Sequence, residues 1–193
     1  MKRNMNKFFA IHLIIATSMV FSSCGITEHD HDHNNDHDYA TTVIVALINQ
    51  NNTTDTVKAM WKDLDGPGGA LPSVIDTISL QSNTLYKGII ELYNESKSPK
   101  TNITLEILND SYEHQFFYTP SSVLASLIEW SITDKDKNNL PIGLQFDVKT
   151  KIGVNQDGKI NIVLSHYDSI TKDGIRKSLE SDIDIDYPVV IRN

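Results

Sequence analysis

The sequence predicts an all-β protein: an antiparallel β-sandwich, immunoglobulin-like or of related topology, with about nine strands. Three observations carry that expectation. Short segments rich in Val, Ile, Thr and aromatic residues recur every 10–20 residues or so along the chain after Tyr39. Inside several of them apolar and polar residues alternate with period two, the mark of a strand with one buried face. Clusters of Gly, Pro, Asn and Asp separate the segments, and few stretches hold a helical period.

Taken in order, residues 41–48 (TTVIVALI) are β-branched and apolar on both faces, as a central strand requires. Residues 49–55 are a turn cluster, 57–61 a second strand, and the glycine-rich run 63–69 a loop. Val74, Ile78 and Leu80 mark a third strand and residues 85–93 a fourth, followed by a charged break through Ser98 and Pro99. Ile103, Leu105 and Ile107 alternate with Thr104 and Glu106, which favours a strand. Ile103 and Ile107 are also one helical turn apart, so a short helix stays open. Residues 113–118 read as a strand, and 122–133 as another that turns through 134–139 into 143–151. Leu144, Phe146 and Val148 then face Ile160, Ile162 and Leu164 across an expected hairpin turn at 155–158. Asp182, Asp184 and Asp186 alternate with Ile183 and Ile185 in a last strand, read as an edge with its acids in water.

Ahead of this domain lies an address. Residues 1–7 carry Lys2, Arg3 and Lys7 without an acid, and residues 8–21 are apolar except for His12, Thr17 and Ser18. These are the parts of a secretory signal, and the apolar run is shorter than the roughly 20 residues a bilayer span needs. Ser22 and Ser23 directly before Cys24 resemble the lipobox of bacterial lipoproteins, with Phe21 where that family usually has Leu. That resemblance implies lipidation of Cys24 and attachment to a membrane. Cys24 is the one cysteine in the chain, so no intrachain disulfide forms and the core alone must hold the fold. The expected division is a signal peptide at 1–23, a flexible tether at 24–39 and a β-sandwich at 40–193.

The chain has 17 Lys+Arg against 25 Asp+Glu; without Lys2, Arg3 and Lys7 the balance is 14 against 25, a net of -11. Such a surface excludes nucleic-acid binding through basic patches and favours cations. In the tether His29, His31, His33 and His37 alternate with Asp30, Asp32, Asp36 and Asp38. Nearby imidazoles and carboxylates suit Zn²⁺, Ni²⁺ or Cu²⁺, and a flexible strand of them binds plurally and exchanges fast. The same tract also serves as a solvated acidic spacer.

Several short motifs join this tail: Trp61-Lys-Asp-Leu-Asp-Gly66 with Gly68 and Gly69, Glu113-His-Gln-Phe-Phe117, Asn139-Leu-Pro-Ile-Gly143 and Lys172-Asp-Gly174. In these the chain resembles small lipoproteins of Bacteroidetes-type bacteria that carry a His/Asp-rich tail after the lipid cysteine. The resemblance implies an outer-membrane lipoprotein, on the periplasmic or cell-surface side, that accompanies a TonB-dependent receptor in nutrient or metal capture. Some of those proteins are assigned a type 1 periplasmic-binding fold. The strand pattern here departs from it, because that fold alternates strands and helices in a longer chain.

Within the domain His114 and His166 are the candidate metal ligands, each extending an apolar stripe, with Asp168 as a neighbouring carboxylate. Asp63 with Asp65, and Asp134 with Asp136 and Asn138, are acidic loops that suit Ca²⁺ or simply turn without an ion. Trp61 and Trp130 read as core anchors. Asp55-Thr-Val57, Asp76-Thr-Ile78 and Asp168-Ser-Ile170 resemble the O-glycosylation signal of exported proteins in the same bacterial group. No hydrolase, metalloprotease or phosphate-loop motif occurs, so an enzyme is not expected. The expected function is a lipid-anchored metal-binding accessory protein, zinc foremost, of an outer-membrane uptake system. The alternative is a structural or adhesion module on a polar stalk.

Overall fold

The computed structural model of the chain describes residues 39–193; Cys24, His29, His31, His33 and His37 lie outside them. Strand β1 (Thr42–Asn49) runs through the middle of a sheet, which is why its residues are apolar on both faces. It pairs on one side with β2 (Thr56–Lys62), itself bordered by the short β3 (Val74–Ile75). On its other side lies β5 (Leu85–Asn94), followed by β9 (Gln145–Thr150) and the edge strand β8 (Ile128–Ile132). The two-residue β6 (Thr101–Asn102) adds to the end of β5. A second sheet has the order β4 (Ile78–Gln81), β11 (Glu180–Arg192), β10 (Gln156–His166) and β7 (His114–Pro120). The expected all-β sandwich is present, with eleven strands rather than about nine among the described residues, and with β4 parallel to β11.

The core lies between the sheets. Val43, Val45 and Leu47 from one side meet Ile160, Ile162 and Leu164 from the other, all at or near zero exposure. Two tyrosines fasten the layers by hydrogen bonds as well as area. The Tyr187 hydroxyl donates to the Val43 carbonyl at 2.8 Å, and the Tyr86 hydroxyl accepts the Gln81 N–H at 2.8 Å. Burial pushes the Tyr187 hydroxyl far above its ordinary pKa, so it stays a donor across the working range of pH.

Five expectations change, each for a packing reason. The strand through Val74, Ile78 and Leu80 is two strands in different sheets. Asp76 divides them: its N–H donates to the Met60 carbonyl and its carboxylate accepts the Met60 N–H. Residues 103–109 form helix α1 (Ile103–Asn109) rather than a strand, burying Ile103 and Ile107 and leaving Leu105 and Leu108 outside. Its Thr104 hydroxyl accepts the Leu92 N–H at 2.7 Å, which ties the helix to β5. In the segment 122–133 only β8 is strand; the residues before it coil in turns that bury Leu124 against Gly158. The expected 155–158 hairpin does not form, because β9 and β10 belong to opposite sheets and their apolar faces meet across the core. Finally, β11 is an interior strand over Val189–Arg192, where β4 pairs it, although β10 alone pairs its acidic half.

One buried ion pair holds the loop that follows β10. Lys172 Nζ lies 2.8 Å from Asp136 Oδ2 and donates to the Ser111 carbonyl at 2.8 Å, with the two side chains 2% and 0% exposed. Asp136 Oδ1 accepts the N–H groups of Asn138 and Leu140. Gln115 donates to the Gly174 carbonyl at 3.2 Å, so the motifs at 113–117, 139–143 and 172–174 converge in space. Burial raises the Asp136 pKa, but Lys172 and the two N–H groups more than offset it and hold the carboxyl below 3.8. The pairing therefore stabilises the fold above the unfolded value of 3.8 and is lost as pH falls through the lower folded value. Lys172→Met leaves a buried carboxylate without its cation and is expected to lower the unfolding free energy by about 3–5 kcal/mol, read from urea melts at pH 7.

Candidate metal centre

The site is made by the register of two neighbouring strands. β7 and β10 are antiparallel, and their register sets Ile162 opposite Tyr118, Leu164 opposite Phe116 and His166 opposite His114. Side chains directly opposite share a face. Both imidazoles thus end the core-facing stripes, as the sequence led us to expect, and they stack with centroids 4.5 Å apart and planes 19° from parallel.

The third member comes from an irregularity. β10 and β11 keep a simple register up to Leu164 and Ile183, but Ser165 then pairs with Ser181. Asp182 is the extra residue of a β-bulge, a feature that re-aims side chains at strand ends. Its carboxylate reaches both rings: Oδ2 is 3.4 Å from His114 Nε2, and Oδ1 is 3.4 Å from His166 Nδ1. The outer nitrogens are held from behind. His114 Nδ1 lies 2.9 Å from the Asp110 carbonyl just past α1, and His166 Nε2 lies 2.7 Å from Asp168 Oδ1. Potential ligand atoms of His114, His166 and Asp182 all lie within 4.8 Å of one another. Glu113 and Asp168 form a second such group with His166.

His114, His166, Asp182 and Glu113, though not Asp168, border a cavity of about 370 Å³ at the open end of the sandwich. Its floor is apolar, with Leu92, Ile107, Leu164 and Ile183, and its rim carries Glu106, Asp110, Glu113 and Asp182. Tyr39 and Ala40, where the described chain begins, complete the wall.

The geometry poses a proton problem. If every ring nitrogen donated to its neighbouring oxygen, both rings would be imidazolium, two like charges stacked 4.5 Å apart. For His114, burial disfavours the charge. Asp182, the Asp110 carbonyl and the charge of Glu113 outweigh burial, so its pKa lies above 6.5. A divalent cation at this place would take the position of the inward protons and leave both outer N–H bonds in place, the arrangement in which an outer acceptor fixes the tautomer of a metal-bound histidine. In a tetrahedral zinc site with Zn–N of about 2.0–2.1 Å, neighbouring ligand atoms lie about 3.3–3.4 Å apart, the separation that His114 Nε2 and His166 Nδ1 each already keep from an Asp182 oxygen.

The other candidates divide. Asp168 meets His166 as expected. The acidic loops use their carboxylates on backbone: Asp134 accepts the N–H groups of Gly143 and Leu144, Asp63 that of Gly66, and Asp65 that of Ala70. Those are turn geometries that need no calcium. Trp61 and Trp130 pack against the core, and Trp130 stacks on Tyr118. Thr56, Thr77 and Ser169 of the three Asp-Thr/Ser motifs are all exposed. Asp182 was missed as a site residue. Alternation put it among the wet acids, and no sequence signal marks the bulge.

No protein-family model, curated protein or solved structure matches this chain. The ion pair between His114 and Asp182 gives a direct check. Because the folded pKa of His114 is raised, its stabilising contribution is whole below pH 6.5 and disappears as pH rises through the folded value. In chelator-treated protein, NMR titration is expected to place the His114 midpoint above 6.5, and Asp182→Asn to move it down.

Proposed function

We propose that the protein is a lipid-anchored, extracytoplasmic metal-binding accessory of an outer-membrane uptake system, and that its folded domain takes zinc or a similar divalent ion at His114, His166 and Asp182. One observation carries this reading: both imidazoles aim one nitrogen at the same carboxylate while an oxygen holds the other nitrogen. Two nitrogens and a carboxylate oxygen suit zinc, nickel and copper better than calcium or magnesium, which prefer oxygen. The acidic rim attracts cations and the net negative chain disfavours anionic partners. Lipidation at Cys24, the outer-membrane location and service to a TonB-dependent receptor rest on the signal and motif resemblances.

The domain site and the tail are separable by affinity. Packed strands hold the domain ligands in place, so this site binds singly and tightly. The tail histidines, alternating with aspartates in a polar tract, bind weakly and several ions at a time. Calorimetric titration of the purified protein with Zn²⁺, Cu²⁺, Ni²⁺ and Ca²⁺ is expected to show one tight site for the first three. His114→Ala or His166→Ala should abolish that site and leave the weak ones. Retention of the tight site in both variants would move the ion away from His114 and His166, and absence of any tight site in the parent would leave a structural module on a polar stalk as the better account. In cells, growth under zinc starvation should fall when either histidine is replaced.

A further inference from the structure

His166 belongs to two ligand groups, and the proposed function uses only one of them. In the other, potential ligand atoms of Glu113, His166 and Asp168 lie within 4.8 Å of one another. We propose that this second group takes a second divalent ion, so that the imidazole of His166 bridges two metals. Nδ1 then faces the ion beside Asp182, and Nε2 the ion beside Asp168. The inference rests on the metal-binding reading above, which supplies the first ion, and extends it to a two-ion centre.

Three observations carry the second position. The first is that the strand ladder which sets His114 against His166 also places its ligands. The Tyr167 N–H donates to the Glu113 carbonyl at 2.9 Å, one step beyond the last β7–β10 pair. Glu113 is thereby held beside the start of the loop that carries Asp168. The second is that His166 meets a carboxylate at each nitrogen. Asp182 Oδ1 is 3.4 Å from Nδ1, and Asp168 Oδ1 is 2.7 Å from Nε2. The ring between them is 8% exposed. The third is access and charge. Glu113 lines the cavity described above and also a second cleft, of about 340 Å³, which Asp168 borders. An ion entering by this cleft reaches Nε2 without passing the first position. Among the described residues no lysine or arginine forms an ion pair with Glu113, Asp168 or Asp182. One divalent ion between neutral imidazoles leaves these three carboxylates with one negative charge in excess. A second ion that replaces the Nε2 proton brings the group to neutrality, because the bridging imidazolate adds one negative charge of its own. A neutral group costs less to hold around a buried ring than a charged one. One imidazole and two carboxylates suit zinc, copper or manganese. The second ion binds more weakly than the first, since Asp168 is exposed and the two ions repel across the ring.

The test loads the purified full protein with Cu²⁺, the ion that binds nitrogen and oxygen ligands most strongly in this series, and compares bound copper with integrated EPR intensity. Two Cu²⁺ joined by one imidazolate couple antiferromagnetically and drop out of the low-temperature signal. Separate ions, those on the tail included, keep theirs. The parent's signal is therefore expected to fall short of its copper content by the two bridged ions. Glu113→Gln removes a ligand of the second position alone, and should restore the missing signal at the same copper load while the tight site is retained. Full intensity in a parent that has the tight site, and loses it in His114→Ala, would overturn the bridge and leave a one-ion centre. Intensity still missing in Glu113→Gln would put the coupling elsewhere and overturn it as well. A parent without any tight site would refute the metal-binding reading itself, and the bridge with it.

Discussion

Asp182 has no partner on β10, and that one extra residue decides what the end of the sandwich can do. In regular alternation its carboxylate would stand in water beside Asp184. The bulge brings it under two stacked imidazoles instead. The rest of the centre follows from that placement. The Asp110 carbonyl beyond α1 and the Asp168 carboxylate beyond β10 each meet an outer nitrogen, so both rings are oriented before any ion arrives. Pre-set orientation reduces the side-chain entropy lost on binding.

The rigidity beneath the site comes from the layers. The pairing of β7 with β10 is set by packing: Phe116, Ile162 and Leu164, all close to zero exposure, lock the register that sets His114 against His166. A one-residue slip would turn every one of these side chains to the opposite face. Behind β10, the buried Lys172–Asp136 pair anchors the loop that begins at Tyr167 and Asp168. The open end is where the apolar stripes run out. There α1 covers the floor with Ile103 and Ile107, and polar groups line the rim.

Much of this was legible in the residues. The run at 85–93 and the Asp/Ile alternation in the early part of β11 were legible as strands because one face of each is buried. The same rule put His114 and His166 at the ends of core stripes. It could not choose between sheets, which is why β9 and β10 looked like a hairpin although they pack across the core. Nor could it choose strand or helix for Ile103 and Ile107, since a spacing of four satisfies both periods. Long-range pairing settled these points: β5 offers the Leu92 N–H to Thr104, and β11 offers its outer edge to β4. The Asp182 bulge is a mismatch between two strands, and neither sequence contains it alone.

The central claim is a place: an ion between His114, His166 and Asp182. Anomalous diffraction at the zinc absorption edge, from crystals of the protein grown with Zn²⁺, locates it directly. The account predicts an anomalous peak about 2.0–2.2 Å from His114 Nε2, His166 Nδ1 and an Asp182 oxygen. Zinc peaks confined to other histidines, with the His114–Asp182–His166 bridge intact and no anomalous signal between them, would contradict it.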